Sequence, residues 1–573
     1  MNRPFQYWAA FTRRWQIIAL SLVLLIALLA PLNLLATRPF HHDEALYATW
    51  SRQIASGTNP WLIHVPIDKP PLFLYATAAM MSFFGPTETA ARLPSFISTA
   101  FIVILVFRLG SHLYTPTTGL VAAYLTALSP IIISLAPTAL TDPLLVALAL
   151  AGCLAAAQGK GIWAGVWLGL ASATKQQGLL FAPLVLGLFL ISPSRPKFKE
   201  IFSLILASTL TFLPALLWDW SRDQTPGFWQ LSVQNYGGLS ASIADLNERW
   251  QGFADLLYYA TASSTLNIIF LAGLPLLLTY GAGVIFGRYF GVGVPQQPAP
   301  QPSPTGKKSK TSPPLGGIEG RVSTPEPAGE EVLAPPSARG RLGGGRASPY
   351  LDNSTSWEPL PSSSLAASKT DWLLTLFSLA FLLGHVLLSF QVWDRYLLGL
   401  VPLLALLFAR VLLLPWNLLA RHLSVPSRTW VGGGFGLGLS LLLAFTLVGP
   451  AQNAANGRYP LGSNSAALQG IEQITAYLRG NVGANHTLYH HWLGTHWRFY
   501  LWNYPYDLQY WASPTALADK AQVGHLIAFP TWRSDTEARL ALGEVGLGLR
   551  EVIRAYNPAG QPSIILYEIE ARP

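Results

Sequence analysis

Residues 15 to 37 form 23 consecutive uncharged positions, enough for a helix to cross the roughly 30 Å apolar core of a bilayer. In lipid every backbone polar group must be paired within the protein, which leaves helices and closed barrels as the only spanning structures. Long apolar runs recur along the 573 residues, and only 11% of the chain is charged, against roughly 25% in soluble proteins. The chain therefore reads as an α-helical polytopic membrane protein. Arg3, Arg13 and Arg14 precede the first run, which predicts a cytoplasmic N-terminus. The run exceeds the roughly 7–15 apolar residues of a cleaved signal, so it reads as an uncleaved first span.

Eleven spans are predicted, at 15–37, 92–112, 118–138, 142–158, 161–174, 176–192, 200–218, 257–287, 372–393, 396–413 and 430–449. The run from Pro70 to Gly85 is short for a span. As a span it would also put Lys160 and the Arg195-Lys197-Lys199 cluster outside, against the positive-inside bias. It is read as a helix on the outer surface. Eleven is odd, so the segment after the last span lies outside.

These spans divide into an N-terminal catalytic module, 1–290, and C-terminal transmembrane helices, 371–450. Between them, 291–370 is rich in Pro, Ser, Gly and basic residues and reads as a disordered cytoplasmic insertion. Residues 451–573 show helical periodicity in SAALQGIEQITAYLRG, a capping-box spacing at Ser534 and Glu537 before ARLALGEVGLGLREV, and strand-like HLIAFP and SIILYEIE. They predict a small extracytoplasmic α/β domain.

The net charge of +9 lies in short clusters between spans, a topology signal and not a nucleic-acid surface. Cys153 is the single cysteine, so an intrachain disulfide and a cysteine metal site are excluded. No Walker loop, HExxH or supported GxSxG is present. What stands out is the loop from His41 to Lys69, opening on Asp43-Glu44 and closing on Asp68-Lys69-Pro70-Pro71. The predicted topology brings Asp43, Glu44, Lys69, Asp142, Lys175, Asp394 and Arg395 to one membrane face. Any one could be an ion pair anchoring a helix end; seven together point to chemistry at the boundary.

HHDEALY, DKPPLFLY, ARLPS, ALTD, SATKQQGLL and WDRYLLGLVPLLALL resemble the motifs of polyprenyl-phosphate-dependent glycosyltransferases of the GT-C fold. That family includes bacterial relatives of protein O-mannosyltransferases and aminoarabinose transferases. The resemblance covers most of 15–290 and 372–412. It implies a membrane enzyme of the plasma (inner) membrane, with outer juxtamembrane helices. Its partners would be a polyprenyl-phosphate-sugar donor, membrane lipid and an extracytoplasmic acceptor. By the same resemblance Asp43 is the catalytic aspartate with Glu44 beside it, and Lys69 lies near the carrier phosphate. Asp142 is a second acid and Arg395-Tyr396 opens a late span, while Arg92 and Lys175 match recurring positions that bind phosphate or sugar. The insertion has no counterpart in the family, and the C-terminal domain carries no motif that names an acceptor.

The histidines read in two ways. His41 and His42 adjoin Asp43, so a divalent metal ion shared with Glu44 and plain interfacial anchoring both fit, anchoring being the commoner outcome. His486, His490, His491 and His496 lie near Tyr489, Trp492 and Trp497. That group reads as an aromatic, partly buried surface more than a metal site, whose spacing it meets loosely. His385, inside a span, is expected to bond a neighbouring helix. A transporter of lipid-linked sugars is the competing class, but it predicts paired repeats and charges at mid-membrane.

Overall fold

The computed structural model describes residues 3–193, 196–235, 245–289, 365–388, 391–462, 468–481 and 486–572. The expected insertion lies outside the described residues as far as 364. The helix Leu365–Leu387 begins inside its expected C-terminal boundary.

Seven helices among the described residues are long and apolar enough to cross a membrane: Arg14–Thr37, Glu88–Leu113, Phe198–Ser221, Ser264–Gly287, Leu365–Leu387, Val401–Leu419 and Trp430–Ala455. This corrects the expectation of eleven spans. The run 118–138 breaks at Ser129-Pro130 into helices Pro116–Ala127 and Pro130–Leu135, of 12 and 6 residues. Asp142–Ala157 has 16 residues, about 24 Å at 1.5 Å per residue, and Gly161–Thr174 has 14. The run 176–192 opens as a 3₁₀ turn, Gln176–Phe181, before the nine-residue helix Ala182–Leu190.

Burial explains why these four segments resemble spans in sequence. Twelve of the sixteen residues of Asp142–Ala157 are buried, and a helix surrounded by protein is as apolar all round as one surrounded by lipid. The two outermost long helices, by contrast, have only 11% of their apolar windows buried. Asp142–Ala157 lies parallel to Glu88–Leu113: Ser95 Oγ donates to the Leu140 carbonyl at 2.7 Å, and His112 Nε2 lies 3.1 Å from the Ala157 carbonyl. Gly165 and Gly169 let Gly161–Thr174 press against Phe198–Ser221, where an added Cβ would meet the Leu204 and Ser208 carbonyls at 2.1 and 2.5 Å. Small residues at such spacing let helix backbones approach closely.

Two further helices, His42–Ala55 and Leu72–Phe84, stand between the first two long helices and pack on each other. Between Phe198–Ser221 and Ser264–Tyr289 lie the helices Phe228–Asn235 and Leu246–Tyr258.

The C-terminal segment is an α/β domain. Its strands are β1 (His486–His490), β2 (Tyr506–Tyr510), β3 (Leu526–Pro530), β4 (Leu547–Tyr556) and β5 (Pro562–Ala571), in the order β2-β1-β3-β5-β4. β2, β1 and β3 are parallel, while β5 runs antiparallel to β3 and β4. The strand readings of HLIAFP and SIILYEIE match β3 and β5. The helix expected across ARLALGEVGLGLREV stops at Glu544, because Gly546 takes a positive φ of 75° and LGLREV continues as β4. The Ser534–Glu537 capping box does not form: Asp535 is the N-cap, without a side-chain hydrogen bond.

Candidate active site

The helix His42–Ala55 starts with a capping box built from its own first residues. Asp43 N–H donates to His41 Nδ1 at 3.3 Å, and His41 N–H donates to Glu44 Oε2 at 2.8 Å. Glu44 is buried, and its other oxygen accepts from Arg92 Nε at 3.2 Å and from Ala139 N–H at 2.7 Å. Arg92 also donates to the Leu35, Arg38 and Pro39 carbonyls. Four of its five N–H donors are thus directed at protein oxygens. Glu44 and Arg92 knot the end of the first long helix to the loop, with little capacity left for a substrate.

Asp43, one residue earlier, points elsewhere. Its Oδ2 accepts from Arg395 Nη1 at 2.6 Å, and its side chain remains 24% exposed. Burial would raise its pKa, but Arg395 first, then His41 and Lys69, outweigh burial and hold the carboxyl at about 2. The carboxylate is therefore ionised throughout the physiological range.

A second ion pair lies alongside. Lys175 Nζ donates to Asp142 Oδ1 at 2.7 Å, both residues being buried, and sits 4.9 Å from the Tyr396 ring. Arg395, next in the chain, lies over the Trp393 ring at 4.8 Å. Its Nε is buried without a hydrogen-bond partner among the described residues, a donor left over for an incoming anion. Lys69 pairs with Asp68. Asp68 is held by Asn235 Nδ2 at 3.0 Å, and its carbonyl accepts from Gln176 Nε2 at 2.9 Å.

The constellation thus contains three acids, Asp43, Asp68 and Asp142, facing three cations, Lys69, Lys175 and Arg395. Asp142, Arg395 and Tyr396 also line a narrow crevice, together with Leu145, Val146, Gln177, Phe181 and Phe381.

Asp68 and Gln176 lie inside DKPPLFLY and SATKQQGLL without having been singled out, and Asn235 lies in no motif. Their roles depend on contacts across 52 to 167 residues that no spacing rule reveals. His385 does not bond a neighbouring helix through Nδ1, which lies 2.8 Å from the Phe381 carbonyl one turn back.

The C-terminal domain closes over the same helix. Thr49 Oγ1 donates to the Thr495 carbonyl at 3.2 Å, Arg52 donates to the Phe499 carbonyl at 2.7 Å, and Tyr500 donates to Glu88. His496 is fully buried, with Nε2 3.0 Å from the Phe40 carbonyl. Burial, only partly offset by that bond, lowers its pKa to about 3, so the ring is neutral and Nε2 carries the proton. Gly462 N–H donates to Asp394 at 2.6 Å, beside Arg395.

Among the described residues no group of three or more His, Cys, Asp or Glu is arranged to hold a metal ion. The set suggested by the sequence does not fit one: His41 Nδ1 and both Glu44 oxygens are committed to the cap and to Arg92.

Fold and site together define a class, the polytopic membrane proteins of the GT-C fold. Residues 68–218 match the family described as dolichyl-phosphate-mannose-protein mannosyltransferase. Among solved structures, the chain is similar to ArnT from Cupriavidus metallidurans bound to undecaprenyl phosphate, with a TM-score of 0.55 and 14% identity over 96% of this chain and 98% of that one. The apo state of the same protein gives a TM-score of 0.53 at 14% identity, covering 97% and 98%. No curated protein sequence matches the chain.

Proposed function

We propose that this protein is a membrane glycosyltransferase that moves one sugar, hexose or pentose, from a polyprenyl-phosphate carrier to an extracytoplasmic lipid, glycan or protein. The observation that carries this reading is the Asp43–Arg395 pair beside the Asp142–Lys175 pair, Asp142 and Arg395 lining one crevice with apolar residues. The fold shared with a protein crystallised with undecaprenyl phosphate supports a carrier of that class, and the matched family supports sugar transfer.

In the reaction, Asp43 takes the proton of the acceptor's O–H or N–H as that atom bonds to the sugar's anomeric carbon. The bond from that carbon to the phosphate oxygen breaks, its electron pair stays on the phosphate, and the anomeric configuration inverts. Lys69, Arg395 and Lys175 stabilise the charge that grows on the leaving phosphate, so no general acid is needed. Asp142 keeps Lys175 in place. A phosphate that draws donors away from Asp43 also makes Asp43 a better base, since Arg395 is its main acidifying neighbour. No step is assigned to a metal ion.

An active site outside the plasma membrane is supported by the basic residues flanking the first long helix. It is supported too by the odd number of spanning-length helices among the described residues, which agrees with a C-terminal domain on the far side from the N-terminus. The test is incubation of purified protein with a panel of polyprenyl-phosphate sugars, in which water takes the acceptor's place and receives the sugar, scored for free polyprenyl phosphate together with free sugar. Release with at least one donor is expected. Donor movement across vesicles without release from any donor would favour a transporter instead.

A further inference from the structure

Three neighbouring parallel strands of the C-terminal domain each deliver a tryptophan just beyond their carboxyl ends: Trp492 after β1, Trp511 after β2 and Trp532 after β3. In open α/β sheets that edge is where ligands bind. Trp492 is centred 6.1 Å from the exposed Trp532 and 5.7 Å from Trp511, which is buried in the core beneath it. His491 extends this surface, stacked on Tyr510 at 5.3 Å with 24° between the planes. Tyr510 is 55% and Trp532 46% exposed, so the outer rings are presented to the surroundings and are not core.

Polar groups are built into this surface. Arg533 lies 5.3 Å from the Trp532 ring and 5.8 Å from Trp492. Trp511 Nε1 is buried without a hydrogen-bond partner among the described residues, as are both ring nitrogens of His490, whose ring lies 6.0 Å from Tyr510. Unpaired buried donors and acceptors are costly. We propose that this edge is a saccharide-binding platform that holds the sugar portion of the acceptor, a role that rests on the transfer reading above.

The chemistry favours a sugar over an acyl chain. A pyranose ring offers C–H faces that stack on aromatic rings and hydroxyls that pair with indole N–H, imidazole and guanidinium. Acyl chains would leave those polar groups unpaired. Aromatic walls with a few placed polar groups are the ordinary build of a small-ligand site. The platform is also continuous with the docking interface. Four residues after Trp492 the chain reaches His496, which lies against Phe40, so a sugar held here is tied to the element that carries Asp43.

Saturation-transfer NMR on full-length protein in detergent, with chitobiose and mannobiose as probes, tests this. Saturable binding of at least one is expected, weakened tenfold or more by Trp532→Ala and by Tyr510→Ala. Both residues are exposed, and the variants should unfold at the parent's Tm. Binding of neither sugar, or unchanged binding by both variants, overturns the proposal. So does quenching of the Trp532 region by spin-labelled lipid in nanodiscs, which would make the surface a membrane anchor. Donor turnover without sugar binding defeats this inference alone. Sugar binding with no turnover of any donor defeats the transfer reading and leaves the platform standing.

Discussion

Asp43 and Arg395 stand 352 residues apart in the chain and 2.6 Å apart in the structure, joining the first polar loop to a late helical segment. The pair sets both the charge of the proposed base and the position of a cation for the leaving phosphate. Its two members therefore fail differently when changed.

Asp43→Asn keeps the shape of the side chain but removes its capacity to take a proton. Turnover should fall roughly 10²–10⁴-fold with donor binding near the parent's, while thermal stability drops because the Arg395 guanidinium loses its partner charge. Single-turnover rates and donor titration measure this, and wild-type turnover in the variant would falsify the assignment.

Lys69→Ala removes a cation proposed to meet the carrier phosphate in ground and transition states alike. Weaker donor binding as well as slower chemistry is expected. A variant that binds donor normally and turns over normally, but expresses poorly, would show that Lys69 only anchors the start of Leu72–Phe84.

The pH dependence follows from the depressed Asp43 pKa of about 2. A lowered carboxyl pKa stabilises the fold above the ordinary carboxylate range, and that contribution is lost as pH falls through about 2. Arg395→Gln takes away the main acidifying neighbour, so the Asp43 pKa should rise. The acid limb of kcat/KM should then move to higher pH in the residual activity of the variant. An acid limb unmoved by Arg395→Gln would mean that another group sets it.

Glu44→Gln and Arg92→Met should act on stability. Removing one partner of a buried, hydrogen-bonded ion pair costs about 3–5 kcal/mol, which thermal unfolding in detergent would read as a lowered Tm. The protein that does fold should turn over nearly normally. A stable Glu44→Gln protein with turnover reduced as far as in Asp43→Asn would return Glu44 to the chemistry.

Much was legible in the chain itself. Length and hydropathy located the seven long helices, since a lipid-crossing helix has no other way to pair its backbone. Turn residues and β-rich runs located two strands of the C-terminal sheet. The residue types of the loop, acids and lysine beside apolar runs, marked where the polar chemistry lies. Tertiary structure decided the rest. An apolar segment reads the same whether its neighbours are lipid or protein, so Asp142–Ala157 and its companions could be told from spanning helices only by their length and burial. Asp43 and Glu44 are adjacent in sequence and alike in chemistry. On a helix, however, successive side chains point about 100° apart, and that rotation turns Glu44 inward to Arg92 and Asp43 outward to Arg395.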